Sequence, residues 1–228
     1  MEQRNILSTG KARPFRLTQD TIARNLALGL DPRGRSDMAL EAMVNGGAIR
    51  PGAPIEDDAA SLTPAAVLVP LVDRPDGMTI LLTKRTAHLA HHPGQISFPG
   101  GRLESDDHGD FTACALRETE EEVGLSPDLV KVLGRLDDYV TGTGFVVTPV
   151  VGVIKPPFSL APDSFEVAEI FEVPLSFVLD QANHQLQHRE VQGRQRPFWA
   201  LTWGDKLIWG ATAGILINLS DVLADRDE

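Results

Sequence analysis

Residues 111–125, FTACALRETEEEVGL, limit the folding of this chain more than any other stretch. Asp110 or Thr112 can cap a helix start. Gly124 stands where a helix ends in the left-handed region, and Pro127 follows. The spacing therefore predicts a helix from about Phe111 to Val123. Ala113, Leu116 and Val123, with Phe111 and Ala115 nearby, form a side able to pack on a sheet. Glu118, Glu121 and Glu122 fall three and four residues apart and share another face. Arg117, four residues before Glu121, can lean on it.

Four glutamates within five positions repel one another. On an open surface each such pair costs only ~0.2–0.5 kcal/mol. In a partly closed cleft, two carboxylates about 5.5 Å apart at an effective dielectric of ~20 repel by roughly 3 kcal/mol. A solvated face tolerates the first figure. A recess with the second calls for a cation, and carboxylate oxygens suit Mg²⁺, Mn²⁺ or Ca²⁺.

The rest of the chain supplies a scaffold. AAVLVPLV and MTILLTKR read as strands joined by the turn DRPDG. QISFPGG reads as a short strand ending in a glycine turn. LVKVLGRLDDYV, FVVTPVVGVI and AEIFEVPL read as further strands, the last opening a short helix. QRPFWALTW and KLIWG form a hairpin around Gly204-Asp205, and ATAGILINLSDVLA a closing amphipathic helix. Strands and helices mix without a βαβ rhythm, so an α/β/α sandwich on a mixed β-sheet is expected. Ahead of it, residues 1–16 read as an arm. A helix follows with Thr18 or Asp20 as cap and Ile22, Leu26 and Leu30 on one face. A second helical piece covers residues 38–43, then a Gly- and Pro-rich linker. Residues 1–60 thus form an N-terminal extension and residues 61–228 the main domain.

The net charge is −11, which disfavours nucleic acid as a partner. The apolar run of residues 65–72 is too short to span a bilayer, and no signal peptide is evident, so no membrane partner and a cytoplasmic location are expected. One cysteine, Cys114, excludes an intrachain disulfide and reads as structural. Trp199, Trp203 and Trp209 read as core or interface.

Gly101, Asp107 and residues 117–125 together resemble the Nudix hydrolase motif, G-x5-E-x7-R-E-U-x-E-E-x-G-U, where U is bulky and aliphatic. Thr119 replaces the first aliphatic residue, Asp107 the first Glu, and nine residues rather than seven separate Asp107 from Arg117. Residues 81–101, LLTKRTAHLAHHPGQISFPGG, are similar to the segment before the motif in the coenzyme A pyrophosphatase branch. Leu81, Leu82, Thr83, Arg85, Gly94 and residues 98–101 fall in place. Thr86 departs mildly, and Ala90 stands where a basic residue is expected.

The resemblance implies a Nudix-type fold and a Mg²⁺- or Mn²⁺-dependent hydrolase. Its substrate would be coenzyme A or acyl-CoA, cleaved to 3′,5′-ADP and a phosphopantetheine. ADP-ribose, NADH and nucleoside triphosphates are alternatives, as is a non-catalytic nucleotide-binding regulator. Glu121 and Glu122 are implied direct metal ligands. Glu118 binds metal or orients its neighbours, and Asp107 joins through water. Arg117 braces the glutamates, and Gly100 and Gly101 give backbone donors. Glu122 or Glu166 is the general base. Arg85 and Lys84 are the nearest cations for the substrate's 3′-phosphate. The extension is a docked terminal helix or a route to a homodimer.

Overall fold

The computed structural model describes residues 17–31, 35–44, 62–89, 92–191 and 193–224. The expected arm (residues 1–16), residues 45–61 of the expected linker (45–64), Ala90 and His91 lie outside them, and the linker's last two residues, Thr63 and Pro64, instead open a strand. In chain order the elements are α1 (Gln19–Ala27), β1 (Arg35–Ser36), α2 (Asp37–Val44), β2 (Thr63–Arg74), β3 (Gly77–Arg85), β4 (Ile96–Ser97) and β5 (Gly100–Arg102). Then come α3 (Phe111–Val123), β6 (Val130–Arg135), β7 (Tyr139–Val140), β8 (Phe145–Ile154), β9 (Val167–Pro174) and α4 (Leu175–Leu179). The chain closes with β10 (Gln185–Val191), β11 (Arg194–Trp203), β12 (Lys206–Trp209) and α5 (Ala211–Leu223).

Among the described residues, nine strands form a mixed sheet along the path β1-β7-β8-β2-β3-β4, with β5 on β2, β6 on β8 and β9 on β3. β2 and β8 run parallel for ten residue pairs, from Thr63↔Phe145 to Val72↔Ile154. That pairing requires a crossover, and α3 lies within it. Side chains alternate along β2. Ala66, Leu68 and Val72 turn to the α3 face with Cys114, Ala115, Val123 and Leu125. Ala65, Val69 and Leu71 turn to the opposite face with Ile22, Leu136, Leu216 and Leu219. Each fully buried aliphatic side chain contributes ~1.5–3 kcal/mol, so a strand covered on both faces anchors the sheet.

Three expectations are corrected. The closing helix α5 is not amphipathic, because every residue from Thr212 to Ser220 is buried. It packs among α1, α4, β7, β11 and β12, which leaves no solvent face. On α3 the buried face is Cys114, Ala115, Thr119, Glu122 and Val123, while Ala113 is exposed. Packing of α3 on β2, β5 and β8 sets that rotation. Finally, the strand β10 was not foreseen. Its sequence QLQHREV is mostly polar, with Leu186 and Val191 the exceptions, and it exists by pairing with β11 over seven positions in a separate three-stranded sheet. Solvent on both faces leaves no alternation to read.

Thr18 proves to be the cap of α1, accepting the Thr21 N–H at 3.2 Å. Ile22 and Leu26 of that helix enter the main core, and β1 pairs with β7 at the sheet edge. The helix α1 and the β1–α2 segment are therefore packed onto the main sheet. Among the described residues no helix is long and apolar enough to cross a membrane.

Candidate active site

The site begins with how α3 is held. Asp110 Oδ1 accepts the Thr112 N–H at 2.8 Å and the Ala113 N–H at 3.3 Å, so Asp110 is the cap. Gly124 adopts φ 69° and sends its N–H to Glu120 O at 2.9 Å. The loop before β9 covers this end. Ala161 N–H reaches Val123 O at 2.8 Å and Asp163 N–H reaches Glu122 O at 2.9 Å. A Cβ on Gly124 would stand 2.8 Å from that of Ala161, so the close approach needs glycine. Thr119, polar at a position that favours aliphatics, is buried and donates to Ala115 O at 2.6 Å. Its hydroxyl is satisfied within the helix.

Arg117 organises the acids around it. Its Nε and Nη2 each donate to Asp107 at 3.0 Å, and Nη1 donates to Glu118 at 3.0 Å and to Glu121 at 3.3 Å. Asp107 is buried and also accepts the Glu104 N–H at 2.8 Å. The Arg117 guanidinium holds its carboxyl down at about 2. Both Asp107 oxygens thus face arginine, and the long loop folds back so that this aspartate anchors Arg117. Sequence reasoning missed this anchoring and the part of Glu104. The Glu-x-x-Asp spacing of residues 104–107 was the available signal.

The three helix glutamates occupy different environments. The Glu121 side chain is 61% exposed, that of Glu118 16% and that of Glu122 8%. Among the described residues, no group of three acidic, histidine or cysteine side chains already converges as a metal cage. Glu122 is the extreme case. Burial pushes its pKa up to about 8, against the pull of the Gly100 N–H and Arg85, and the negative charge of Glu166 raises it further. Burial also raises Glu118, against the pull of Arg117.

The Pro-Gly-Gly turn meets these two carboxylates. Gly100 donates its N–H to Glu122 Oε2 at 3.3 Å. A Cβ on Gly101 would fall on the Glu118 carboxylate, and one on Gly100 would fall on Ala66 O. Gly100 needs glycine because its φ is 152° and the β2 backbone lies against it, while a side chain at Gly101 would displace the Glu118 carboxylate.

Arg85 comes from the end of β3. Its Nη1 lies 3.8 Å from Glu122 Oε1, while its Nε is buried without a hydrogen-bond partner. Lys84 does not join it. Strand alternation turns it to the other face, beside its register partner Ile96, which belongs to the core opposite α3. Glu166 is half-buried ahead of β9. Its carbonyl accepts the Thr86 N–H at 2.9 Å, tying the two chain segments that flank Glu122.

A profile of the NUDIX domain matches residues 62–194, over half of the chain. A protein of Enterobacter sp. (strain 638), "Uncharacterized Nudix hydrolase NudL", is 42% identical over 156 residues, covering 68% of this chain and 80% of that one.

The chain is a member of the Nudix hydrolase family.

The relative of the same name from Photorhabdus laumondii is also 42% identical, covering 68% of this chain and 82% of its own. Among solved structures, the Nudix hydrolase RenU of M. smegmatis matches with a TM-score of 0.44 and 26% identity, covering 52% of this chain and 74% of that one. This Nudix hydrolase therefore acts on diphosphate bonds of small nucleotide-like molecules, and its family works with divalent metal ions. The donor set fits such an ion. Two recessed carboxylates on one helix have one backbone N–H and a distant arginine to balance them on the Glu122 side.

Proposed function

We propose that this Nudix hydrolase cleaves the diphosphate of coenzyme A or acyl-CoA, releasing 3′,5′-ADP and a phosphopantetheine. Glu118, Glu121 and Glu122 would hold Mg²⁺ or Mn²⁺, which suit carboxylate oxygens. One observation carries the reading. The branch-like segment of residues 81–101 and the glutamate helix meet at a single point, where Arg85 Nη1 stands 3.8 Å from Glu122 and Gly100 N–H stands 3.3 Å from it.

Bound metal supplies charge neutralisation at phosphate oxygens and a more acidic water. The chain's own groups do the rest. Arg117, fixed by Asp107, orients Glu118 and Glu121. Arg85, with Nε unsatisfied and its guanidinium reaching the recess, binds substrate phosphate. Glu166, whose charge acts on Glu122, accepts a proton. Asp107 serves this centre through Arg117.

Incubation with Mn²⁺ and coenzyme A, acetyl-CoA, ADP-ribose, NADH or a nucleoside triphosphate tests the substrate. Coenzyme A species should give 3′,5′-ADP at the highest kcat/KM. Turnover of ADP-ribose or NADH without any coenzyme A species would refute the assignment and leave the hydrolase in place.

A further inference from the structure

Among the described residues most large aromatic side chains are at least partly covered, but Phe165 is 63% exposed. It is not exposed through looseness. Its N–H donates to Asp163 Oδ1 at 2.9 Å, and its carbonyl accepts the Thr86 hydroxyl at 2.7 Å. Thr86 is itself buried. The Phe165 ring meets the exposed ring of His88 at 4.8 Å between centroids, tilted by 60°. Fixed backbone thus holds a phenyl ring out in water with a second aromatic ring beside it, at a cost in exposed apolar surface that the fold does not require.

The position gives that cost a use. Phe165 precedes Glu166, whose charge acts on Glu122. Thr86 follows Arg85, whose guanidinium approaches Glu122 at 3.8 Å. The ring pair therefore sits beside both groups, Phe165 next to Glu166 and His88 three residues after Arg85. A ligand entering that recess with an anionic end has a flat, uncharged part left over. Stacking on aromatic rings is the interaction that suits a planar base and tolerates its identity.

We infer that Phe165 and His88 form the platform on which the nucleobase of the substrate stacks while its diphosphate lies at Arg85, Glu118 and Glu122. The inference rests on the diphosphatase reading of the site, and it names the nucleobase, not the pantetheine or acyl end, as the occupant. Both rings are exposed, so their replacement leaves the core intact. Arg85 sets the diphosphate end and the platform the base end.

Binding of ADP and of inorganic pyrophosphate to the full chain with Mn²⁺ reads the two ends separately, without turnover. Phe165→Ala should weaken ADP about ten-fold and leave pyrophosphate unchanged. Phe165→Trp should restore the loss and Phe165→Leu should not, since bulk without a π-face is insufficient. His88→Ala should show a smaller loss of the same kind. With coenzyme A as substrate, Phe165→Ala should raise KM and spare kcat. An ADP affinity unchanged in Phe165→Ala overturns the platform. So does an equal loss for pyrophosphate, or a loss for phosphopantetheine alone. Failure of wild-type turnover on coenzyme A, with the ADP loss intact, removes the proposed substrate and upholds the platform.

Discussion

Glu122 shows how one side chain acquires its chemistry from its surroundings. Glu118, Glu121 and Glu122 are the same residue type on one helix, yet only Glu122 lies almost wholly out of water, against the Gly100 N–H. Removing its charge while keeping its volume separates chemistry from packing. Glu122→Gln should fold with an unchanged circular dichroism spectrum and lose activity by on the order of 100-fold or more, since a cation ligand is worth several kcal/mol to a charged transition state. It should also lose the rise in Tm that Mn²⁺ produces in the parent protein. Activity within a few-fold of the parent would remove Glu122 from the site. Arg117 and Asp107 show the complementary case. A bidentate pair at 3.0 Å spends both charges on fixing geometry.

At the scale of elements, the antiparallel pairings of β2 with β3 and of β3 with β9 carry Arg85 and Glu166 to the recess. A polar tie locks them at the far end. Glu172 on β9 accepts from Arg74 Nη2 at 2.5 Å and Nε at 3.1 Å, and from Thr79 Oγ1 at 2.5 Å. The Arg74 hydrogen bond, above all, lowers the Glu172 pKa below its ordinary range. A carboxyl lowered on folding contributes stability that is complete above its unfolded pKa, near 4.3, and lost as pH falls below that through the folded value. Both side chains are partly exposed, so the contribution is about 1 kcal/mol. Urea melts of parent and Glu172→Gln should therefore differ by a constant amount from pH 8 to pH 5 and converge below pH 4. A gap that widens as pH falls would mean the charged form is not the stabilising one.

At the scale of the whole molecule, the described helices ahead of β2 join the main sheet through ordinary core packing. Ile22 has no exposed surface and sits among residues of the main sheet and α5. Arg35 adds an ion pair at 2.8 Å to Asp221 of α5, and Asp37 accepts from the Tyr139 hydroxyl at 2.7 Å. One cooperative unit follows from shared contacts of this kind. Ile22→Ala should lower stability by about 3 kcal/mol, with tryptophan fluorescence and circular dichroism still melting together. An early, separate transition would show the extension folding on its own.

Local chemistry is what the chain alone carried. The bounds of α3 were legible because caps act within a few residues, and Asp110 and Gly124 do so whatever packs around the helix. β8 and the β2–β3 hairpin were legible because their apolar runs and turn residues act over a similarly short range. The glutamate cluster and the glycine turn were legible as a pattern for the same reason. Tertiary structure decided what depends on residues distant in sequence. It turned α3 so that Glu122 is buried and Ala113 is not, and it closed solvent off from every side of α5 between Thr212 and Ser220. It made β10 a strand by giving it β11 as a partner, and it brought Arg85 and Glu166 to Glu122, which lies about forty residues from each along the chain. Burial and charge proximity are sums over neighbours in space, and spacing along a chain specifies them only where the chain turns back on itself at once.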